Sequence, residues 1–210
     1  MRFEESLELL RKVYADDPVE DERISYLRSL HAYATMVPKP CTVVEIGTYR
    51  GRSAFIMACA LAGTGSDLVT IDPVFAMGRI RVPDAHQTAH EYASDFATVW
   101  HRFYQATLLP GQIRLRVIPK YSHDYLKSWD RTPIGLLYVD GEHTSDAVRR
   151  DLGWMHHVGP GGYAAWDDWI KAVQEPVEGY VAEHPEWEFL HKSTDPPRGE
   201  WSITLLRKRT

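Results

Sequence analysis

Three aspartates and a histidine in the second half of the chain stand where carboxylates and an imidazole can do chemistry. Asp140 closes the apolar run "IGLLYVD", His143 follows in "DGEH", and Asp167 and Asp168 sit side by side at the end of "GGYAAWDDW". Adjacent like charges repel, and the flanking Trp166 and Trp169 limit their access to water. If the two apolar runs are neighbouring parallel strands, their ends bring all three carboxylates to one sheet edge. Such a cluster is stable only when a cation joins it. An all-oxygen set suits a hard divalent ion, Mg2+ ahead of Ca2+ or Mn2+, and no Cys/His cluster supports zinc. Structural roles compete with this reading. Asp168 is also a good N-cap for a following helix, Asp140 can simply end a strand, and His143 can simply organise its loop.

A second group lies earlier, in "VVEIGTYRGRSA" followed by "DLVTIDP". Gly47 and Gly51 let the backbone turn tightly and approach a ligand, and the helix starting near Arg52 offers free N–H groups. The glycines are four apart, so this is not the dinucleotide fingerprint GxGxxG. Glu45, just before the turn, would repel a pyrophosphate but suits a cationic ligand such as a sulfonium with its amino group. Asp72 ends the next apolar run, roughly 20 residues beyond the glycine turn, where a carboxylate accepts hydrogen bonds from ribose hydroxyls.

The elements that must position these groups follow from periodicity. Phe3, Leu7, Leu10 and Tyr14 share one helical face, and Ile24, Leu27, Leu30 and Ala34 share another, with Asp17-Pro18 between them. From Cys41 onward, short β-branched runs alternate with helical stretches. "CTVVEIG", "DLVTID", "IRLRVIP", "IGLLYVD" and "GGYAAW" read as strands. "RSAFIMACALAG", "EYASDFATVWHRFYQATL", "SHDYLKSW", "SDAVRRDLGWMHHV" and "DDWIKAVQEPVEGYVAEH" read as helices, the last with Pro176 inside it. Residues 73–91 carry no clear period and read as an insertion or lid loop. "WEFLHKS" and "EWSITLLRKR" read as two closing strands joined by "TDPPRG". Alternating strands and helices imply a parallel sheet with crossover helices. The expected fold is therefore α/β: a doubly wound, Rossmann-like, mostly parallel seven-stranded sheet with a C-terminal antiparallel strand and N-terminal helices. Residues 1–36 form the helical cap and 37–210 the main domain. In such a sheet, ligands bind beyond the carboxyl ends of the strands, at the switch point.

Composition narrows the partners. The 210 residues carry a net charge of −5, with 44% hydrophobic and 25% charged residues. That balance suits one large globular domain and argues against a nucleic-acid binder, which would show a basic stripe. Cys41 and Cys59 form no CxxC pattern and read as reduced thiols. The charged start does not resemble a signal peptide, and no run reaches the ~18 apolar residues of a membrane span. A soluble, cytoplasmic protein without a membrane partner is expected. The N-terminal helices could serve a homo-oligomer interface. Most of the seven tryptophans should be packing residues. Trp166 and Trp169 either border an apolar acceptor or point into the core.

"VVEIGTYRGRSA" with "TIDP" resembles motif I and the acidic motif II of class I S-adenosylmethionine-dependent methyltransferases. "LLYVDGEHTSDAVRRDL" and "VGPGGYAAWDDW" are similar to the metal-dependent O-methyltransferases of natural-product pathways, including the macrolide-sugar and cephalosporin-hydroxylase-like groups. The resemblance covers roughly residues 41–170. It implies S-adenosylmethionine held by Glu45, Gly47, Thr48, Gly51, Ser53, Asp72 and Asp140, with Tyr121 and Ser122 at the adenine. It implies Asp140, Asp167 and Asp168 as metal ligands and His143 as general base, consistent with an imidazole that titrates near neutral pH. The expectation is a Mg2+-assisted O-methyltransferase acting on a hydroxyl of a sugar or another small natural product. Two other classes stay open at this point: a nicotinamide-dependent oxidoreductase on the same kind of sheet, and a non-catalytic cofactor-binding partner protein. His86, His90 and His123 are weaker candidates for bordering the pocket, and His156 and His157 read as packing or dipole residues.

Overall fold

The computed structural model describes residues 1–15, 19, 21–73, 113–192 and 203–210. Helix α1 (Phe3–Val13) buries Phe3, Leu7 and Leu10, as the periodicity requires. Its first turn is closed by the Arg2 backbone N–H donating to Glu5 Oε2 at 3.0 Å. Helix α2 (Asp21–Met36) buries Leu27, Leu30 and Ala34. Both helices pack on α3 (Arg52–Leu61), which is buried from Ser53 to Leu61 and so lies inside the protein.

Strands β1 (Thr42–Ile46), β2 (Asp67–Ile71), β3 (Arg114–Ile118), β4 (Ile134–Val139), β5 (Val158–Trp166), β6 (Trp187–His191) and β7 (Thr204–Lys208) form one sheet in the order β3-β2-β1-β4-β5-β7-β6. The first five pair parallel. β7 runs antiparallel between β5 and β6, so the closing hairpin reaches the sheet through its second strand. Side chains alternate across the sheet with the period of two that strands impose. Val43, Leu136, Tyr138 and Ala165 join the core under α1, α2 and α3. Val44, Leu137, Val139, Ala164 and Trp166 join the opposite core, with Trp154, Trp169 and Val173. Chain order reverses between β1 and β4, which places the switch-point crevice at their carboxyl ends.

The remaining helices among the described residues are α4 (Ser122–Leu126), α5 (Ser145–Asp151) and α6 (Lys171–Glu183). Three local expectations are corrected. The helix expected through Val158 changes at Leu152 into a 3-10 segment, Leu152–His157. Gly153 sits there so close to α4 that a Cβ would meet Leu126 Cδ2 at 2.9 Å. Strand β5 then starts at Val158, earlier than "GGYAAW". Helix α6 starts only at Lys171 and continues through Pro176 without a break. Proline cannot donate to the carbonyl four residues back, which is that of Ala172. Ser145 Oγ donates to that carbonyl instead, at 3.2 Å. The helix expected over "EYASDFATVWHRFYQATL", most of segment 73–91 with His86 and His90, Asp17-Pro18 and the "TDPPRG" turn lie outside the described residues.

Candidate functional site

A cavity of about 760 Å³ opens over the carboxyl ends of β1, β2 and β4. Its walls come from the β1–α3 turn, the start of α4, α5 and α2. The turn is shaped by unusual backbone. Gly47 (φ +89°) and Gly51 (φ +75°) are left-handed, and so is Tyr49 (φ +43°). A Cβ on Gly47 would lie 2.0 Å from the Asp140 carbonyl oxygen. The glycine is therefore required by the close passage of β4, not by ligand approach alone. Asp72 Oδ2 accepts hydrogen bonds from the N–H groups of Thr48 and Tyr49, each at 3.0 Å. One oxygen of the expected ribose-binding carboxylate thus holds the turn itself.

Glu45 does not line the cavity. It is fully buried behind the turn, where Ser53 Oγ donates to Oε1 at 2.6 Å and the Thr70 hydroxyl donates to Oε2. The Thr48 and Thr70 hydroxyls are in contact, which extends this network up to the turn. Burial pushes the Glu45 carboxyl up to about 8. Gly47, Thr48, Gly51, Ser53, Asp72, Tyr121, Ser122 and Asp140 do line the cavity, together with His123. The rings of Tyr121 and His123 stack with centroids 5.4 Å apart. Ser122 donates its hydroxyl proton to Asp151, and burial pushes that carboxyl up to about 6.

Asp140 connects the cavity to the other carboxylates. Asp140 N–H donates to Ile46 O at 2.8 Å, and Asp167 N–H donates to Val139 O at 3.0 Å, so neighbouring strands bring the two aspartates together as expected. Asp140 Oδ2 accepts from Tyr138 at 3.0 Å and from Tyr26 at 3.2 Å. Its other oxygen faces His143 Nε2 at 3.6 Å. His143 Nδ1 lies 3.1 Å from Asp168 Oδ2. Burial alone would lower the His143 pKa. The hydrogen bond to Asp168 and the charges of Asp140 and Asp168 outweigh it, and the pKa rises. Burial also raises Asp140, to about 6. Asp167 is 1% exposed, and its carboxyl lies against that of Asp140. Burial, then the charges of Asp140 and Asp168, push its pKa well above the ordinary carboxylate range.

Asp168 does not cap α6, whose N-cap is Ile170. Its backbone is left-handed at φ +46°, which is strained for a residue with a side chain. His143, Asp167 and Asp168 stand beside the cavity, reached through Asp140, and do not line it. Among the described residues no three His, Cys, Asp or Glu side chains converge as a metal-holding group. Trp166 and Trp169 do not border an acceptor, because both are buried in the second core.

Several cavity residues escaped the sequence reading. Arg23, Tyr26 and Leu27 line it from α2, and Arg50, Arg52, Arg150 and Asp151 line it from the main sheet's connections. Asp151 had a signal, since it shares the buried face of α5 with Ala147 and Val148, where an apolar residue belongs. Tyr26 had a weaker one, a phenol on the buried face of an otherwise ordinary amphipathic helix.

The strand order, the single reversed strand and a cavity at the switch point define a Rossmann-like fold of the methyltransferase type. Residues 44–169 match the family model described as a methyltransferase domain, and the chain belongs to that family. Solved structures agree on the fold. The O-methyltransferase TomG from Streptomyces achromogenes, involved in tomaymycin synthesis and solved with S-adenosylmethionine, is 19% identical, with TM-score 0.67 over 98% of this chain and 90% of its own. An O-methyltransferase from Bacillus cereus solved with S-adenosylhomocysteine is 13% identical, with TM-score 0.65 over 98% and 91%. The calicheamicin methyltransferase CalS11 is 16% identical, with TM-score 0.60 over 97% and 91%.

Proposed function

We propose that the protein transfers the methyl group of S-adenosylmethionine to a hydroxyl oxygen of a small molecule, with a sugar or another natural product as the acceptor class. The observation that carries this reading is one continuous arrangement. The Gly47–Gly51 turn, held by Asp72, and Asp140 line one cavity, and behind Asp140 stands His143, paired with Asp168. The cavity lining pairs four carboxylates (Asp72, Asp140, Glu142 and Asp151) with four arginines (Arg23, Arg50, Arg52 and Arg150), a balance that suits a ligand carrying both charges, such as the amino-acid end of S-adenosylmethionine. The TomG and CalS11 names support a natural-product acceptor. On this reading residues 37–210 carry the cofactor and residues 1–36 supply a helical layer that reaches the site.

In the reaction the acceptor oxygen attacks the methyl carbon in line as the sulfur–carbon bond breaks, leaving S-adenosylhomocysteine and an ether. No covalent enzyme intermediate is needed. His143 takes the hydroxyl proton, and Asp168 and Asp140 orient its ring and stabilise the imidazolium. Much of the acceleration comes from holding oxygen and methyl at contact distance. The donor set at this edge is all oxygen, which is the kind a hard divalent cation takes, Mg2+ or else Ca2+ or Mn2+, although among the described residues these side chains do not converge as a metal-holding group. Asp140, Asp167 and Asp168 would hold it, and a bound cation lowers the pKa of a coordinated acceptor hydroxyl.

Calorimetric titration with S-adenosylmethionine and S-adenosylhomocysteine, with and without Mg2+, tests the reading. Micromolar binding of both is expected, and binding of neither sinks it. Asp167→Asn should weaken metal-dependent turnover far more than cofactor binding; equal loss of both would remove Asp167 from the ligand set.

A further inference from the structure

Asp140 is the hinge between the cavity and the acidic group behind it, and its orientation is set by two phenols. Tyr138 comes from its own strand, two residues earlier and hence on the same side of the sheet as α2. Tyr26 comes from α2 and also lines the cavity. Both phenols reach the same carboxylate oxygen, at 3.0 and 3.2 Å, and their own oxygens touch. Three oxygen–oxygen contacts thus share two phenolic protons. The rings meet edge to face, 6.4 Å apart at 63°. Tyr138 is fully buried and Tyr26 is 9% exposed, so neither has water as an easy alternative partner.

Two buried hydroxyls that needed only satisfaction could serve each other. Here they converge on a carboxylate that faces the cavity. With Oδ2 held by them, Oδ1 is the atom presented to His143 Nε2. Without the clamp, an aspartate at a strand end is free to turn about its side-chain bonds.

We propose that Tyr26 and Tyr138 are positioning residues of the methyl-transfer site. Together they clamp Asp140 Oδ2 so that Oδ1 addresses His143, and α2 is thereby a working wall of the site and not only a covering layer. This rests on the reading of Asp140 as part of that site.

The test uses the full chain labelled with carbon-13 at the phenolic carbon of tyrosine, with Tyr26→Phe and Tyr138→Phe assigning the two signals. Asp140→Asn should shift both signals and leave the other tyrosines in place. Tyr26→Phe should shift the Tyr138 signal. Saturating S-adenosylhomocysteine should move the signal of Tyr138, which does not line the cavity and is reached through Asp140, whereas a Tyr138 that only stabilises the fold would not respond. Signals indifferent to Asp140→Asn, or unmoved by bound S-adenosylhomocysteine, would overturn the clamp. If S-adenosylhomocysteine does not bind at all, the methyl-transfer reading fails, while the response to Asp140→Asn still decides whether the clamp exists.

Discussion

Replacing Glu45 by glutamine should make the protein more stable, and only at higher pH. Glu45 is fully buried, and burial raises its carboxyl from 4.5 in the unfolded chain to about 8 in the folded one. Between those values the folded state holds a proton that the unfolded state has released. Stability therefore falls as pH rises through this window and levels off above about 8. At 1.36 kcal/mol per unit, the shift corresponds to about 4 kcal/mol between pH 5 and pH 9. Glutamine has nearly the same shape, and the Ser53 and Thr70 hydroxyls can turn to serve it. The variant should match the native protein near pH 5 and exceed it by about 3–5 kcal/mol at pH 9. Urea unfolding of both proteins at half-unit steps of pH measures the difference directly. Groups shared by the two proteins, such as Asp151 and Asp167, cancel in that difference. Parallel stability curves across the whole range would refute the argument, because they would mean that Glu45 is already ionised in the folded protein.

Asp151→Asn should behave similarly in a lower window: with the carboxyl at about 6 when folded, the variant gains about 2–3 kcal/mol over the native protein as pH rises from 4 to 7. Gly47→Ala should lose more than ~3 kcal/mol or fail to fold, since its Cβ would lie 2.0 Å from the backbone oxygen of Asp140 at a φ of +89°. Asp168→Gly should relieve the left-handed backbone, worth roughly 1 kcal/mol in urea unfolding. The same change should lower the His143 pKa, read from its ring-proton titration, because the largest cause raising it is removed. Ser145→Ala should cost about 1 kcal/mol by leaving the Ala172 carbonyl without the donor that replaces the missing N–H of Pro176.

The sheet was legible because each strand is a short apolar run between turn residues, and a five-residue strand such as β1 has no other way to bury all its side chains. Element edges were less legible where tertiary contacts decide them. The 3-10 segment after Asp151 depends on how closely Gly153 approaches Leu126, a contact between residues far apart in the chain. Pro176 looked like a possible break in α6. The helix runs on because Ser145, 27 residues before Ala172, supplies the hydrogen bond that Pro176 cannot, and helix propensity contains no trace of that.

The site shows the same division. Strand ends place Asp140 and Asp167 side by side from sequence order alone, since adjacent parallel strands end at the same edge. What each side chain does there depends on its neighbours in space. Glu45 looked like a ligand group because it precedes the glycine turn, yet the pleat turns it towards α3, where Ser53 and Thr70 hold it. Asp72 looked like a ribose acceptor, and it first holds the Thr48 and Tyr49 amides. Asp168 read as a metal ligand, a helix cap or both; it does not cap α6, and its carboxylate lies against His143. Tyr26 could not be assigned from spacing, because its partner Asp140 is 114 residues away and only the packing of α2 against the sheet joins them. A motif therefore specifies which strand end carries the chemistry. The surrounding hydroxyls and amides set how each carboxylate is held, and this is why the phenol pair on Asp140 and the paired amides on Asp72 matter as much to the cavity's shape as the aspartates themselves.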